Sequence, residues 1–569
     1  MPALATGILA LWFANSLGAD NPTKTPKRTG PPDQAEVMKS LDLFTHVYEK
    51  VFTYYVDENL DPDELIKKAI DGMLSGLDPH SQFLDTRQYD DLMTSTQGSF
   101  GGLGIEISVR DNYPTVIAPI EGTPAYIQGV QGGDQIIEIE GDDTYGWTIS
   151  QAIAKLRGPK GTDVNFKVHR EGVEKPIEYD ITRDIIAIES VRYAFKIGDV
   201  GYIRVTNFAQ DTADELQTRL DDLEAQGIKG LVLDLRYNPG GLLRAARDVS
   251  QLFLDSGKKI VYTRGRTPRQ NADYYSTTPE PKVHARNYPL VVLVNEASAS
   301  ASEIVAGALQ DWDAAVIVGE TSYGKGSVQT VYPLTETEAL KLTTAKYYTP
   351  SGRCIHKEHR KDKDKSEDED AQVTPKPGDL KLDKANKEVP DSTETFLTVG
   401  KRPVLGGGGI TPDVMIPQSE LTQFDIDLER KNYLFQYAIK WAAKHPNVKE
   451  FKVTPEVLAE FKQILVDDKF TYDQAAWDSN AVYVDRGLRR EVVRRLHGSK
   501  AAYLVSIEGD DQLKKALDLF AHGRTVKDLY AVKANELKEV STEEMKRRMG
   551  GKSVTADPRD TARAGGVIK

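Results

Sequence analysis

Four apolar runs constrain this chain more than any other feature: VGYIRVTNF (200–208), GLVLDLR (230–236), PLVVLV (289–294) and AAVIVG (314–319). The last two are apolar almost throughout, as a strand is when both its faces are covered. Helical stretches such as TADELQTRLDDLEAQ (212–226) lie between the runs. Strands that alternate with helices make an α/β layer with a parallel sheet, so residues 190–353 read as that layer. A chain of 569 residues exceeds one hydrophobic core, and three or four domains are expected.

Two segments after these runs carry chemistry. NEASASASEIVAGALQD (295–311) places serines where a strand gives way to a helix. Backbone N–H groups are unpaired there and the helix dipole is positive, so the place suits an oxyanion. GETSYGKGSVQT (319–330) supplies Lys325 and Gln329 after the next strand. A serine, a lysine and a glutamine in this setting suggest a serine peptidase without a catalytic histidine. Ser300 followed by Glu303 is also an S-x-x-E capping box, which needs no catalysis. Ser298 and Ser302 compete with Ser300, and Lys325 between glycines is equally an exposed loop lysine. Gly240 and Gly241 of DLRYNPGG (234–241) also have a plain reading, a tight turn.

Composition narrows the alternatives. A net charge of −13 argues against nucleic acid as the main partner, because phosphate binding needs a basic face. One cysteine, Cys354, excludes an intrachain disulfide and a multi-cysteine metal site, and it reads as an incidental thiol. Nine scattered histidines form no HExxH pair, so a metal site is not expected.

Residues 1–19 resemble the apolar region of a signal peptide, although no Lys or Arg precedes it. Export to the periplasm or cell envelope is the expectation, with retention at the membrane if the segment is not removed. Residues 20–33 form a Pro-rich linker. A helical N-terminal domain is expected over 34–97, from Val37, Leu41, Phe44, Val47 and Val51 and then Leu65, Ala69, Met73 and Leu77, with Pro79 as the stop. Residues 357–400 are charge-rich and read as a disordered insertion, and 546–569 as a disordered tail. Residues 418–545 read as helical: Leu434, Tyr437, Ala438 and Trp441 share a face, and Thr454-Pro455 starts a helix. Arg486, Arg489, Arg490, Arg494 and Arg495 read as a solvated helix face rather than a binding patch.

From Gly98 the texture changes to short strands and glycine turns. GGLGIEISV (101–109), GDQIIEIEG (133–141) and the helical ISQAIAKLRG (149–158) resemble a PDZ domain over 98–187. In that resemblance the amides of Gly102, Leu103, Gly104 and Ile105 hold a peptide's terminal carboxylate, and an exposed strand edge accepts the peptide as an extra strand. Arg157 is either a surface charge or a link between this domain and the core.

With LDPHS (77–81), LRGPKGT (156–162), DLRYNPGG, SASASEIVAGAL (298–309), GETSYGKGSVQT and YYTPSGR (347–353) all present, the chain resembles the C-terminal processing peptidases of family S41, which carry a PDZ domain. The resemblance implies a multidomain α/β protein: a ClpP/crotonase-like serine protease core (188–356 and 401–417) with an inserted PDZ domain and helical terminal regions. It places the nucleophile at Ser300, the base at Lys325 and the orienting residue at Gln329. Oxyanion donors would be the amides of Ala301 and of Gly240 or Gly241. It further implies protein substrates with apolar C-termini, no cofactor, a homo-oligomer and a repeat-containing adaptor. Two rivals are a peptide-binding scaffold with an inactive core, and an acyl-CoA enzyme of the crotonase type. The first must lose a catalytic position, and the second needs a nucleotide pocket and an acidic base.

Overall fold

The structure, a computed structural model, describes residues 33–277, 286, 288–357, 394–445 and 448–531. The expected signal peptide, nearly all of the linker, residues 358–393 of the charged insertion, the end of the C-terminal helical region and the tail lie outside the described residues. The chain divides into two units at residues 73 and 74.

In the first unit, helix Gln34–Tyr54 opens on Asp33, whose carboxylate caps the Glu36 amide. Its periodic residues form a face as expected, but no residue of the helix is buried. Leu41, Phe44 and Val47 are exposed.

The second unit is built on a sheet of six strands among the described residues, ordered Tyr193–Ile197, Val200–Arg204, Gly230–Asp234, Leu290–Val294, Val316–Gly319 and Val414–Met415. All neighbours pair in parallel except the first two. The four apolar runs are therefore consecutive strands, and GGGGITPDVMIP (406–417) returns to the sheet as an edge. Three helices cover one face: Thr212–Ala225 through Leu216, Leu220 and Leu223, Leu243–Gln251 through Val249, and Ala301–Asp311 through Val305 and Leu309. The other face is covered from the far end of the chain. Helix Asp511–His522 lays Leu513, Ala516, Leu519 and Phe520 against Tyr202, Val232, Val291, Leu293, Val316 and Val318. A residue buried on both faces of its sheet has no use for alternation, which is why Leu290–Val294 reads as an unbroken apolar run. A second sheet joins Gln82–Leu84, Ala339–Tyr348, Lys259–Gly265 and Ala272–Tyr275, with Ser327–Pro333 paired to Ala339–Tyr348.

The PDZ domain is an insertion closed at its neck. Its entry strand Ser99–Gly102 pairs with its exit strand Asp184–Ala187, Ser99 opposite Ala187. Its sheet runs Ile105–Arg110, Tyr113–Pro119, Gln135–Ile139, Asp163–His169 and Ile177–Thr182, and helix Ile149–Leu156 closes one side over Leu103, Ile136 and Phe166.

Between core and terminus, helices Gln423–Arg430, Tyr433–Lys444, Pro455–Asp467 and Ala481–Ser506 pack around Leu434, Tyr437, Trp441, Phe461 and Leu488. The arginine cluster here corrects the sequence expectation of a solvated face. Arg489 pairs with Asp485 and Glu508, and Arg490 with Glu429 and Glu491. Arg495 donates to the Gly132 carbonyl at 2.6 Å and to Gln131 at 2.8 Å, both in the PDZ domain. From the PDZ domain the Arg110 guanidinium lies 3.7 Å from the Phe435 ring centre. Two of these acids, Asp485 and Glu491, lie within four residues on the same helix, but Glu429, Glu508 and the PDZ partners of Arg495 come from other elements, which sequence proximity does not reveal.

Candidate active site

Ser300 is the N-cap of helix Ala301–Asp311, with φ 54° and ψ −111°. A non-glycine residue in this conformation costs about 1–3 kcal/mol and is held only where the surroundings dictate it. Here they do. The Ala299 amide donates to the Asn238 carbonyl at 3.0 Å. The Ser300 amide donates to Glu303 at 2.7 Å, which is the acidic half of the capping-box pattern. The two competing serines are spent on structure. Ser298 Oγ donates to the Leu235 carbonyl and Ser302 Oγ to the Asn238 carbonyl, each at 2.9 Å, and both residues are fully buried. Ser300 alone of the three reaches solvent.

The DLRYNPGG turn presses against this serine. A Cβ on Gly240 (φ 101°) would sit 2.7 Å from that of Ser300, and one on Gly241 (φ 145°) 2.2 Å from the Phe208 carbonyl oxygen, so both positions require glycine. The turn is anchored by Asp234, which is fully buried and bonded to Arg236; Arg236 also reaches Asp510 and Gln512. The Gly240 amide donates to Asn238 Oδ1 at 2.9 Å, which removes it from the expected oxyanion donors. Among the described residues nothing accepts from the amides of Ala301 and Gly241.

Lys325 arrives on the loop before strand Ser327–Pro333. One buried carboxylate ties that loop to the serine. Glu303 receives the Ser322 hydroxyl at 2.6 Å and the amides of Gly324 at 2.7 Å and Lys325 at 3.0 Å, in addition to that of Ser300. Burial pushes the Glu303 carboxyl above its ordinary value, opposed by these bonds. The buried Tyr347 hydroxyl lies between the carbonyls of Ser300 and Lys325. Burial, and the neighbouring Lys341, pull Lys325 below the ordinary lysine value, against the pull of Glu303 and Asp78. Among the hydrogen bonds of the described residues, none joins the Ser300 hydroxyl to the Lys325 amine.

Among the hydrogen bonds of the described residues, none joins Gln329 to Lys325, the pairing that the sequence suggested. The Gln329 amide nitrogen donates to Ser327 Oγ at 3.0 Å and to Thr343 Oγ1 at 3.2 Å. The LDPHS segment, read from sequence as a helix stop and as one of the motifs of the resemblance, enters the site here. Helix Pro62–Ser75 ends before it, and Asp78 accepts from Thr343 Oγ1 at 3.0 Å and from Ser81 Oγ at 2.7 Å. His80 is pushed down to about 4 by burial and by Lys325, and so stays neutral. These residues were missed because they lie more than 200 positions before Lys325; only the motif as a whole marked them.

In the PDZ domain, Ile105–Arg110 is an edge strand beside helix Ile149–Leu156. Gly104 has φ 78° and its carbonyl accepts from Ile120, while the amides of Leu103 and Gly104 donate to nothing among the described residues. Gly102 is committed to the neck strand, and Ile105 begins the edge strand. Arg157, at the end of the groove helix, pairs with Asp91 at 3.4 Å and stacks 4.4 Å over Phe100. It is thus a link from the PDZ domain to helix Thr86–Gln97 rather than a free surface charge.

Three family models match in the order of these parts: a PDZ domain over 92–169, peptidase family S41 over 199–364, and the C-terminal helical domain of a probable PDZ-protease over 424–479. The carboxy-terminal-processing protease of Bartonella bacilliformis is 45% identical over 331 residues, 57% of this chain and 74% of the relative. The chain belongs to peptidase family S41. The carboxy-terminal processing protease CtpA of Bacillus subtilis is 38% identical over 58% of this chain and 69% of its own length. Among solved structures, the photosystem II D1 C-terminal processing protease aligns with 26% identity over 66% of this chain and 92% of that one, with a TM-score of 0.33. The S41 match covers Ser300, Lys325 and Gln329, and with the PDZ match and these relatives it places the chain in the family of C-terminal processing serine proteases that carry a PDZ domain.

Proposed function

We propose that the chain is an exported endopeptidase that captures apolar protein C-termini in its PDZ domain and cleaves the polypeptide with Ser300 and Lys325. The observation that carries this reading is the pairing of a strained, solvent-reaching Ser300 with a half-buried lysine of lowered proton affinity, their backbones clipped together by Glu303. A neutral Lys325 amine takes the Ser300 proton as Oγ attacks the scissile carbonyl. The oxyanion so formed sits against the amides of Ala301 and Gly241; such a donor is worth about 10²–10³ in rate. The tetrahedral intermediate collapses as the Lys325 ammonium protonates the leaving amine. Water, deprotonated by the same lysine, then hydrolyses the acyl-enzyme. Gln329 orients the amine, and a peptide tail extends the Ile105–Arg110 edge with its carboxylate on Leu103 and Gly104. Nucleophile and base often draw together only when substrate is bound, so the missing hydrogen bond between Ser300 and Lys325 fits a resting enzyme.

The test is cleavage of an unfolded protein with an apolar C-terminus by the parent, Ser300→Ala and Lys325→Ala chains. Activity lost in both variants supports the reading. Cleavage that survives Ser300→Ala assigns the wrong nucleophile. A parent that binds the tail but never cleaves it favours the scaffold.

A further inference from the structure

The protons around Gln329 can be followed one by one. Asp78 is the fixed end of the chain. Burial pushes its carboxyl up, but the bonds from Ser81, the His80 amide and Thr343 outweigh this and hold it below its ordinary value, so it is ionised and can only accept. Oδ2 receives the Ser81 hydroxyl at 2.7 Å. Oδ1 receives the amides of His80 at 2.8 Å and Ser81 at 3.0 Å, and the Thr343 hydroxyl at 3.0 Å. The Thr343 amide in turn donates to Ser81 Oγ at 3.0 Å, so both residues facing Asp78 are tied to each other.

A threonine hydroxyl has a single proton. Thr343 has given its proton to Asp78, so toward Gln329, its cross-strand partner 3.2 Å away, it can only accept. The Gln329 group that faces it must therefore be the NH₂. The second proton of that NH₂ goes to Ser327 Oγ at 3.0 Å. Both donors are then spent, and Oε1 is the only uncommitted atom of the amide. Asp78 and Lys325 are near enough to act on each other electrostatically, and among the described residues no hydrogen bond engages the Lys325 amine.

Taking Lys325 as the base, as proposed above, we infer that Asp78 is a positioning residue for catalysis: through Thr343 it fixes which way the Gln329 amide faces, so that Oε1 is presented to the Lys325 amine. Held by an acceptor, a neutral amine keeps its lone pair for the Ser300 proton. With the amide reversed, an NH₂ would compete for that lone pair and silence the base. The LDPHS segment thus serves the reaction from outside the α/β layer, docked there by the pairing of Gln82–Leu84 with Ala339–Lys341.

The test uses the full chain and an unfolded substrate with an apolar C-terminus. Thr343→Val keeps the shape but breaks the proton chain, and Thr343→Ser keeps the chain. Expected for Thr343→Val is a fall in kcat of about 10- to 100-fold, an unchanged KM, and an acid limb of the pH profile moved to lower pH. That movement follows because the Lys325 ammonium loses an acceptor; Lys341, Glu303 and His80 are untouched, and Asp78 loses the Thr343 hydroxyl but keeps the bonds from Ser81 and the His80 amide, so its carboxylate stays charged. Thr343→Ser should retain activity within a few-fold. In a Gln329→Ala background, Thr343→Val should cost less than twofold more. Equal losses in Thr343→Val and Thr343→Ser, or a Thr343→Val loss that multiplies undiminished onto Gln329→Ala, would overturn the relay. If Thr343→Val does not fold, Asp78→Asn and its double variant with Gln329→Ala give the same comparison. Lys325→Ala separates the two claims. Activity that survives it overturns the Ser-Lys reading itself, whereas loss there with additive Thr343 and Gln329 effects overturns the relay alone.

Discussion

Glu303 receives the backbone amide of Lys325 at 3.0 Å, and with the same oxygen it receives the amide of Ser300. Serine and lysine arrive on different elements, after different strands, and a single buried carboxylate sets the distance between their backbones. Glu303→Gln replaces one acceptor oxygen by a donor facing donors. At least one buried N–H or O–H loses its partner, which costs about 1–3 kcal/mol. The expected result is a fall in kcat of about 10- to 100-fold with a lowered Tm, read by steady-state kinetics and thermal unfolding. Full activity in Glu303→Gln would show that the clip is dispensable.

The conformation of Ser300 predicts a separation of stability from activity. At φ 54° and ψ −111° its Cβ is strained, and Ser300→Ala keeps that strain while Ser300→Gly releases it. Glycine gives back part of this through a freer unfolded chain, about 0.4–1 kcal/mol. Both variants should be inactive, with Ser300→Gly the more stable by about 0.5–1 kcal/mol in denaturant titration. A less stable glycine variant would mean that the serine backbone is unstrained.

Lys341 lies beside Lys325 and, after burial, is the main reason its proton is held weakly. Activity needs the neutral amine, so it rises as pH passes upward through the Lys325 value. Lys341→Met removes the repelling cation, raises that value and should move the acid limb of kcat to higher pH, with the alkaline plateau unchanged. An unmoved limb would separate the two lysines. Lys341 is itself lowered by burial, so its loss should not destabilise the chain at neutral pH.

His80 makes a different pH prediction, about folding. Its value falls to about 4 in the folded chain, from an ordinary 6.5. Between these two values the unfolded state binds the proton and the folded state does not. Stability contributed by this group is therefore intact above about 6.5 and lost as pH falls toward 4. His80→Gln should lose less stability than the parent between pH 7 and 4.5, followed by urea midpoint. Parallel losses in the two chains would exclude His80 from acid unfolding.

Much of this was legible in sequence because some residues are decided by their neighbours along the chain. Leu290–Val294 and Val316–Gly319 are buried on both faces, and their unbroken apolar character said so. Ser300 stands where a strand gives way to a helix, and a sequence shows that change of period directly. What remained hidden depends on distant partners. Glu303 looks identical whether it caps a helix or clips a loop across the fold. Gly240 and Gly241 look alike until Asn238 takes one amide and leaves the other. Asp78 has no meaning until Thr343 is opposite Gln329. The arginines of helix Ala481–Ser506 looked solvated because two of the acids they pair with, Glu429 and Glu508, lie in other elements.

The C-terminal helix Asp511–His522 gives the last prediction. It is one wall of the catalytic core rather than an appendage: Leu519 is fully buried against the sheet, and Phe520 lies where a Cβ on Gly230 would approach to 2.6 Å. Just before it, Asp510 holds Arg236 of the turn that presses on Ser300. Leu519→Ala leaves a cavity under the sheet and should cost about 2–5 kcal/mol. Asp510→Ala leaves Arg236 its Asp234 partner but takes two acceptors from the guanidinium, and should cost about 1–3 kcal/mol. Asp510→Ala should also lower kcat at temperatures where the chain is still folded, because the turn it steadies carries Gly241; Leu519→Ala should not. Denaturant titration and kinetics at 25 °C separate the two effects. If both variants lose stability alone, the terminal helix supports the sheet without reaching the site.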